Sequence, residues 1–491
     1  MLTCSDRTGE PVDVVSNIAP PQAAGIHVAS SRRVWIGRIA CVLVPIVIWF
    51  APLPLEPVTK HGMAVAAFMI LGWATEAAEP ALVGFIGCFL FWALQIVPNF
   101  RTAFAGFASD TAWFLFGALL LGAIATRSGL ARRIAYLVMM RVGVSYSRLL
   151  LGLIVTDFLL TLIVPSGLAR VVIMASISLG LVEAFRLGPG SNVGRGIFLI
   201  ITYTAGLFDK MIIAGAGAIT ARGAIEKFGG VEVEWSLWFL AYLPCHIITI
   251  LAAWRLTLWL YPPEKPVLEG GYEYLRAETE KLGPWKGAER HALALIAIAT
   301  ILWVTDFLHH IPSSMIAMGV GLFALLPGVG VLETEDLRRL NYLPIFFVAA
   351  AVSMGDVLAH TKGLAVLTDL MFAWMSPLMT NIFISTVVLY WTAFVYHLFL
   401  ASEIPMLATS IPPLMTFAKA NGFNPLQIGM IWTFAAGGKI FAYQSAVMIV
   451  GYSYGYFGAR DLLRIGALLT VVEFLVVLVL VPFYWPLIGI Q

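Results

Sequence analysis

Apolar runs follow one another almost from end to end of this chain. They fall at roughly 36–54, 62–78, 81–97, 109–126, 149–183, 196–221, 235–260, 291–308, 313–328, 341–358, 381–418, 427–451 and 462–488. Most reach the roughly 17–25 residues that a helix needs to cross a bilayer. A membrane barrel would instead show short alternating segments. Only 12% of the 491 residues are charged, against about 25% in soluble domains. The expectation is an all-α polytopic membrane protein.

Two of the runs, 149–183 and 381–418, are too long for one crossing. Each breaks near its middle, at Thr161–Arg170 (TLIVPSGLAR) and at Val395–Pro405 (VYHLFLASEIP). Backbone leaves the helix at membrane depth only where protein or a cavity surrounds it. Paired interruptions in two halves of a chain point to a transport site. Read as re-entrant hairpins, they leave about eleven spans. Positive charge tests that topology, since cytoplasmic loops gather Lys and Arg. With the N-terminus inside, those loops hold Arg127, Arg132, Arg133, Arg141, Arg148, Lys265, Arg276, Lys281, Arg338 and Arg339, among others. Reading the first hairpin as a full crossing would put 265–290 outside. The C-terminus is then extracytoplasmic, in a cell (cytoplasmic) membrane.

The chain also repeats. Arg127-Ser128-Gly129-Leu130 is echoed by Thr361-Lys362-Gly363-Leu364, Ser166 by Ser402, and Lys210 by Lys439, at near-constant offsets. The first Gly-Leu lies inside and the second outside, so the repeats are inverted, a common transporter plan. The expected divisions are a disordered cytoplasmic tail at 1–35, a first repeat at 36–260, a cytoplasmic linker at 261–290 and a second repeat at 291–491.

Other features exclude more than they assign. A net charge of +2 without a basic patch gives nucleic acid no footing. Cys4, Cys41, Cys88 and Cys245 form no disulfide framework or zinc pattern. The tail has no apolar core and is not a signal peptide. No nucleotide fingerprint occurs, so direct ATP drive is not expected. No catalytic constellation supports an intramembrane enzyme.

Four stretches carry a family likeness: GWATEAAEP at 72–80, GFASDTAWFLFGALLLGAIATRSGLARRIA at 106–135, Pro165–Arg170 (PSGLAR) and His397–Ser402 (HLFLAS). In these the chain resembles the divalent anion–sodium symporter family, within the ion-transporter superfamily. Pro165–Arg170 sits where the citrate–succinate branch has P-S-N-T-A-R. The likeness covers roughly 40–485. It implies an elevator-type transporter, usually a homodimer, moving di- or tricarboxylates or sulfate. In the family, two Ser-Asn-Thr signatures hold substrate carboxylates and sodium. Here the serines stand, but Gly167 and Glu403 replace Asn, and Leu168 and Ile404 replace Thr. The resemblance thus implies sodium coupling less than it implies the fold.

Ionisable side chains at membrane depth are functional candidates by default. They are Arg170 past the first tip, Asp209 and Lys210, Glu403 at the second tip, and Lys439. With Ser166, Gly167 and Ser402 they make up the expected substrate site. Three cations against two carboxylates leave one net positive charge, and helix N-termini at the tips add more. The expected partner is a small dianion, with membrane lipid around the protein. A fixed ammonium at Lys210 or Lys439 stands where sodium would otherwise sit. No cofactor is expected, and the coupling ion is left between sodium, by resemblance, and a proton or none, by departure from the signatures. Glu403 is the proton candidate. Two alternatives stay open: an Asp209–Lys439 or Glu403–Lys210 pair that only locks bundles together, and a channel or sensor on the same fold. Asp157 is a weaker candidate, and His397 reads as a packed histidine.

Overall fold

A computed structural model describes residues 31–143, 145–164, 166–213, 215–264, 269–400 and 402–490. The tail expected at 1–35, up to residue 30, lies outside the described residues, with Cys4. So do Pro165, Lys265 and Ala401. Among the described residues the secondary structure is helical throughout, without strands.

Helices of eight residues or more are numbered here in chain order. The first half holds α1 (Ser31–Phe50), α2 (Pro57–Ala74), α3 (Pro80–Ala93), α4 (Asp110–Ser128), α5 (Leu130–Val142), α6 (Tyr146–Thr161), α7 (Gly167–Ala184), α8 (Asn192–Met211), α9 (Ala216–Ala224) and α10 (Trp235–Leu260). After α11 (Gly271–Leu282) come α12 (Gly287–Val304), α13 (Ser313–Phe323), α14 (Leu343–His360), α15 (Gly363–Phe372), α16 (Ile382–Phe399), α17 (Glu403–Ala420), α18 (Pro425–Ala435), α19 (Ala446–Ser453) and α20 (Ala459–Phe483). Eight helical stretches of the described residues are long and apolar enough to cross a membrane, by length and composition. Shorter apolar helices include α3, α13 and residues 35–50 of α1.

The order of elements repeats. In each half a long helix ends at a left-handed residue, Gly129 (φ +83°) or Lys362 (φ +61°), and a shorter helix follows. Next come two helices parted by a short break (α6/α7 and α16/α17). A second broken pair follows (α8/α9 and α18/α19), then a long closing helix (α10 and α20). The first helix of each pair ends at Thr161 or Phe399 and the second begins at Gly167 or Glu403, where Pro, Ser and Gly interrupt the apolar runs in the sequence. From sequence, Asp209 and Lys210 would interrupt the apolar run 196–221; instead they lie in the last turn of α8, which ends at Met211.

Packing sorts the helices into two groups. One is apolar: α2 and α3 pack together, α3 against α14, and α4 against α13. Small residues permit the approach; a Cβ at Gly117 would lie 2.6 Å from the Met318 nitrogen. The other group gathers every broken helix. Helix α8 packs along both α6 and α7, and α18 along both α16 and α17. The halves then cross over, with α7 against α19, α17 against α9, and α10 against α20. The segment between the halves carries one helix, α11, which rests on α5 and α7.

Candidate anion site

Breaking a helix frees carbonyls that cannot be left unpaired in an apolar interior. The structure shows what satisfies them. At the first tip the Arg170 guanidinium is wholly buried. It donates to the Val164 carbonyl (3.0 Å), to the Ala205 carbonyl (2.7 Å), to Asp157 Oδ1 (3.1 Å) and to Asp209 Oδ1 (2.9 Å). The Trp238 indole donates to the Lys210 carbonyl at 2.7 Å, just where α8 ends. In 436–445 the Gln444 Oε1 accepts from the Ile440 and Phe441 nitrogens at 2.7 and 2.9 Å. The Tyr203 hydroxyl donates to the Lys439 carbonyl at 3.0 Å. His397 is packed as expected, and its Nε2 meets the Gln444 carbonyl at 3.1 Å, which assigns that nitrogen the proton.

These supports hold two charge clusters side by side. In the first, Arg170 lies between Asp157 and Asp209. In the second, Glu403 lies between two ammonium groups, Lys210 Nζ at 3.1 Å from Oε1 and Lys439 Nζ at 2.7 Å from Oε2. Lys210 and Lys439 are 2% and 4% exposed and Glu403 12%. Asp209 and Lys210 are neighbours in sequence, so one helix end serves both clusters. Glu403 is also the first residue of α17, where the helix dipole favours a negative charge. Two ammonium groups against one carboxylate leave the second cluster with one positive charge; one guanidinium against two carboxylates leaves the first with one negative charge. The Glu403–Lys210 pair that the sequence offers as a bundle lock is therefore present, with Lys439 added to it. Asp209 pairs with Arg170 instead.

Glycine makes both clusters possible. A Cβ at Gly167 would stand 2.3 Å from Asp209 Oδ2 and 2.9 Å from the Ala205 carbonyl. A Cβ at Gly437 would stand 2.6 Å from Lys210 Nζ. Any larger residue would displace a charged group.

Both tip serines face open space. Ser166 caps α7, its Oγ accepting from the Ala169 nitrogen at 3.3 Å, and lines a cavity of about 450 Å³ with Ala169, Arg127 and Arg339. Ser402 lines a cavity of about 540 Å³ with Ile404, Tyr443 and Glu76. Asn341, at the start of α14, lines both. Among the described residues neither Arg170 nor Lys210 lines either cavity. They stand behind the tips. Among the described residues no group of three or more His, Cys, Asp or Glu side chains is placed to hold a metal ion.

Two buried carboxylates carry weight that the sequence reading gives them lightly or not at all. Asp157, the weaker candidate, is an integral arm of the Arg170 clamp. Glu473 of α20 was not singled out. It is 2% exposed and faces the lysine cluster. Its signal was available, since it is the one carboxylate past the first turn of a 25-residue apolar helix.

The sequence profile described as the sodium:sulfate symporter transmembrane region matches residues 32–491. A membrane protein of Cupriavidus necator is 26% identical over 92% of this chain and 93% of its own length. An L-tartrate/succinate antiporter of Shigella dysenteriae is 26% identical, covering 92% and 98%. A citrate/succinate antiporter of Escherichia coli is 25% identical, covering 92% and 97%. With a match across nearly the whole chain, the protein belongs to the sodium:sulfate symporter family and is a multi-pass membrane transporter of small anions, not an enzyme.

Proposed function

We propose that this transporter is a secondary active carrier of small dicarboxylates or tricarboxylates that exchanges one anion for another without bound sodium. One observation carries the reading: the Lys210–Glu403–Lys439 bridge at the second tip. It puts fixed positive charge where the family resemblance puts a cation-holding signature, and like charge there opposes sodium entry. The names of the tartrate/succinate and citrate/succinate antiporters point to the same substrate class and to exchange.

In this reading Ser166, Ser402 and the N-termini of α7 and α17 receive the carboxylates from the two cavities. Lys210 and Lys439 act through charge, and Arg170 acts by holding the first tip in shape. Asp209, a quarter exposed, borders the site. Glu403 is the counter-ion of both lysines. Helices α6/α7 and α16/α17 are hairpins, as two arms against one helix support, and the halves are inverted repeats. The broken-helix group moves as an elevator past the apolar group. Its exposed apolar side chains, among them Leu82, Phe85, Phe89 and Met315, suit a homodimer contact and lipid. Cavities facing the cytoplasm, with the N-terminus inside, suit the positive charge of Arg127 and Arg339 at one of them, since cytoplasmic loops gather Lys and Arg.

The test is thermal shift of the purified protein against succinate, tartrate, citrate, sulfate and sulfonates, with and without sodium. Binding to the native state stabilises by RT ln(1 + [L]/Kd). Stabilisation by organic dianions in sodium-free buffer is expected. A response to sulfate alone would move the substrate to the inorganic class.

A further inference from the structure

Glu473 has no place in the anion site as drawn, yet it is a buried carboxylate with no ammonium or guanidinium partner among the described ion pairs. It sits midway along the apolar helix α20, and among the described residues its Oε2 has no hydrogen-bond partner. Glu473 lines a small space of about 10 Å³ with Lys439, Gly206, Gly438 and Thr470. Such a space has room for about one water molecule.

Titratable or charged groups face Glu473 from several elements. Lys439 comes from the 436–445 segment, Lys210 and Tyr203 from α8, Glu403 from α17, Tyr390 from α16 and Cys245 from α10. No ammonium group comes within 4.0 Å of Glu473 among the described ion pairs, whereas Glu403 has two. A buried carboxylate without a close counter-ion is expensive to keep ionised.

We infer that Glu473 is the proton-binding group of the transport cycle, taking up one proton as the anion binds and releasing it as the site empties. This rests on the anion-transport reading of the same site. With Glu473 ionised, Lys210 and Lys439 are balanced by two carboxylates. With it protonated, one positive charge is free for the guest. The bond formed is a carboxyl O–H and the proton comes from water, so charge and atoms balance. An arriving dianion draws the proton on, and a departing one lets it go. Glu403, held between two lysines, keeps its charge throughout. The proton role expected of Glu403 thus passes to a residue on another helix.

The experiment measures proton uptake on succinate or citrate binding to the full-length protein in weakly buffered detergent solution, together with affinity from pH 5 to 9. About one proton per anion is expected, with affinity weakening towards tenfold per pH unit on the alkaline side, the slope of one linked proton. Glu473→Gln should bind without proton uptake and hold its affinity at alkaline pH, while Glu473→Asp should retain the pH dependence. Anion binding by the wild-type protein with no proton uptake would overturn this inference and leave the transport reading standing. Unchanged proton uptake in Glu473→Gln would overturn it as well. Failure of the wild-type protein to bind any of these dianions would overturn both.

Discussion

At the first tip a guanidinium is clamped between two carboxylates, whereas at the second a carboxylate is clamped between two ammonium groups. Both tips open on a serine and a helix N-terminus, and both lie beside a second broken helix. Their charges nevertheless have opposite signs and different reach. Asp157, Arg170 and Asp209 all come from the first half, so that cluster holds one tip to its own neighbours. Lys210 comes from the first half but Glu403 and Lys439 from the second, so that cluster ties the halves together at the site. A shared backbone plan therefore serves two purposes: one tip is braced, and the other is charged.

Removing a lysine should break this comparison most sharply. Lys439→Ala leaves Glu403 with one cation, and breaking a buried ion pair on one side costs about 3–5 kcal/mol. Dicarboxylate counterflow in proteoliposomes should fall on the order of a hundredfold. A variant that transports normally would remove Lys439 from the site. Arg170→Ala should cost a similar 3–5 kcal/mol, but in thermal stability. Protein that survives should keep its apparent anion affinity within about tenfold, the equivalent of about 1.4 kcal/mol. Arg170→Lys should not restore stability, because an ammonium group cannot reach the same carbonyls and carboxylates in one plane. If affinity collapsed while stability held, Arg170 would be a direct anion contact and the two tips would be alike.

Gly167→Ala and Gly437→Ala probe the same difference more gently. Overpacking of this kind costs about 1–3 kcal/mol. Each site meets a backbone carbonyl, Ala205 at Gly167 and Phe434 at Gly437, but the side chain displaced is Asp209 of the brace at Gly167 and Lys210 of the charged cluster at Gly437. Gly167→Ala should lower the melting temperature more, and Gly437→Ala should lower uptake more. The reverse order would contradict the division of labour.

The smallest effect lies away from both tips, on α11. Burial there would raise the Glu278 carboxyl, but Lys281 at 2.6 Å and Arg132 at 2.9 Å outweigh it and hold it below its ordinary value of 4.5. A depressed carboxylate stabilises fully above its unfolded pKa and loses that contribution as pH falls through the folded value. Exposed partners limit the effect to under about 1 kcal/mol. Hydrogen exchange across 271–282 should quicken below about pH 4.5, the ordinary carboxylate value, and Glu278→Gln should show the faster exchange already at neutral pH. Equal exchange in both proteins would show that α11 is held by its apolar contacts alone.

Much of this architecture could be read from residue order. Pro, Ser and Gly inside overlong apolar runs mark the breaks, and the near-constant offsets of Ser166/Ser402 and Lys210/Lys439 mark the repeat. Intramembrane charge picked out Arg170, Lys210, Glu403 and Lys439 by type. The pairing was not legible, because partners such as Lys210 and Glu403 are nearly two hundred positions apart and meet only through the crossing of halves. Nor was the role of Arg170, since the carbonyls it satisfies are freed by a break whose exact residues sequence leaves undecided. Glu473 escaped notice for a related reason: its helix shows no interruption, and its importance comes from neighbours on other helices.

In the proposed reading, fixed lysine charge does the work of bound sodium at the second tip. The most direct measurement is counterflow of a labelled dicarboxylate into proteoliposomes preloaded with the unlabelled anion, with sodium present on both sides or replaced throughout by choline. If lysine charge replaces sodium, the initial rate is the same in both conditions. A strict requirement for sodium would contradict it.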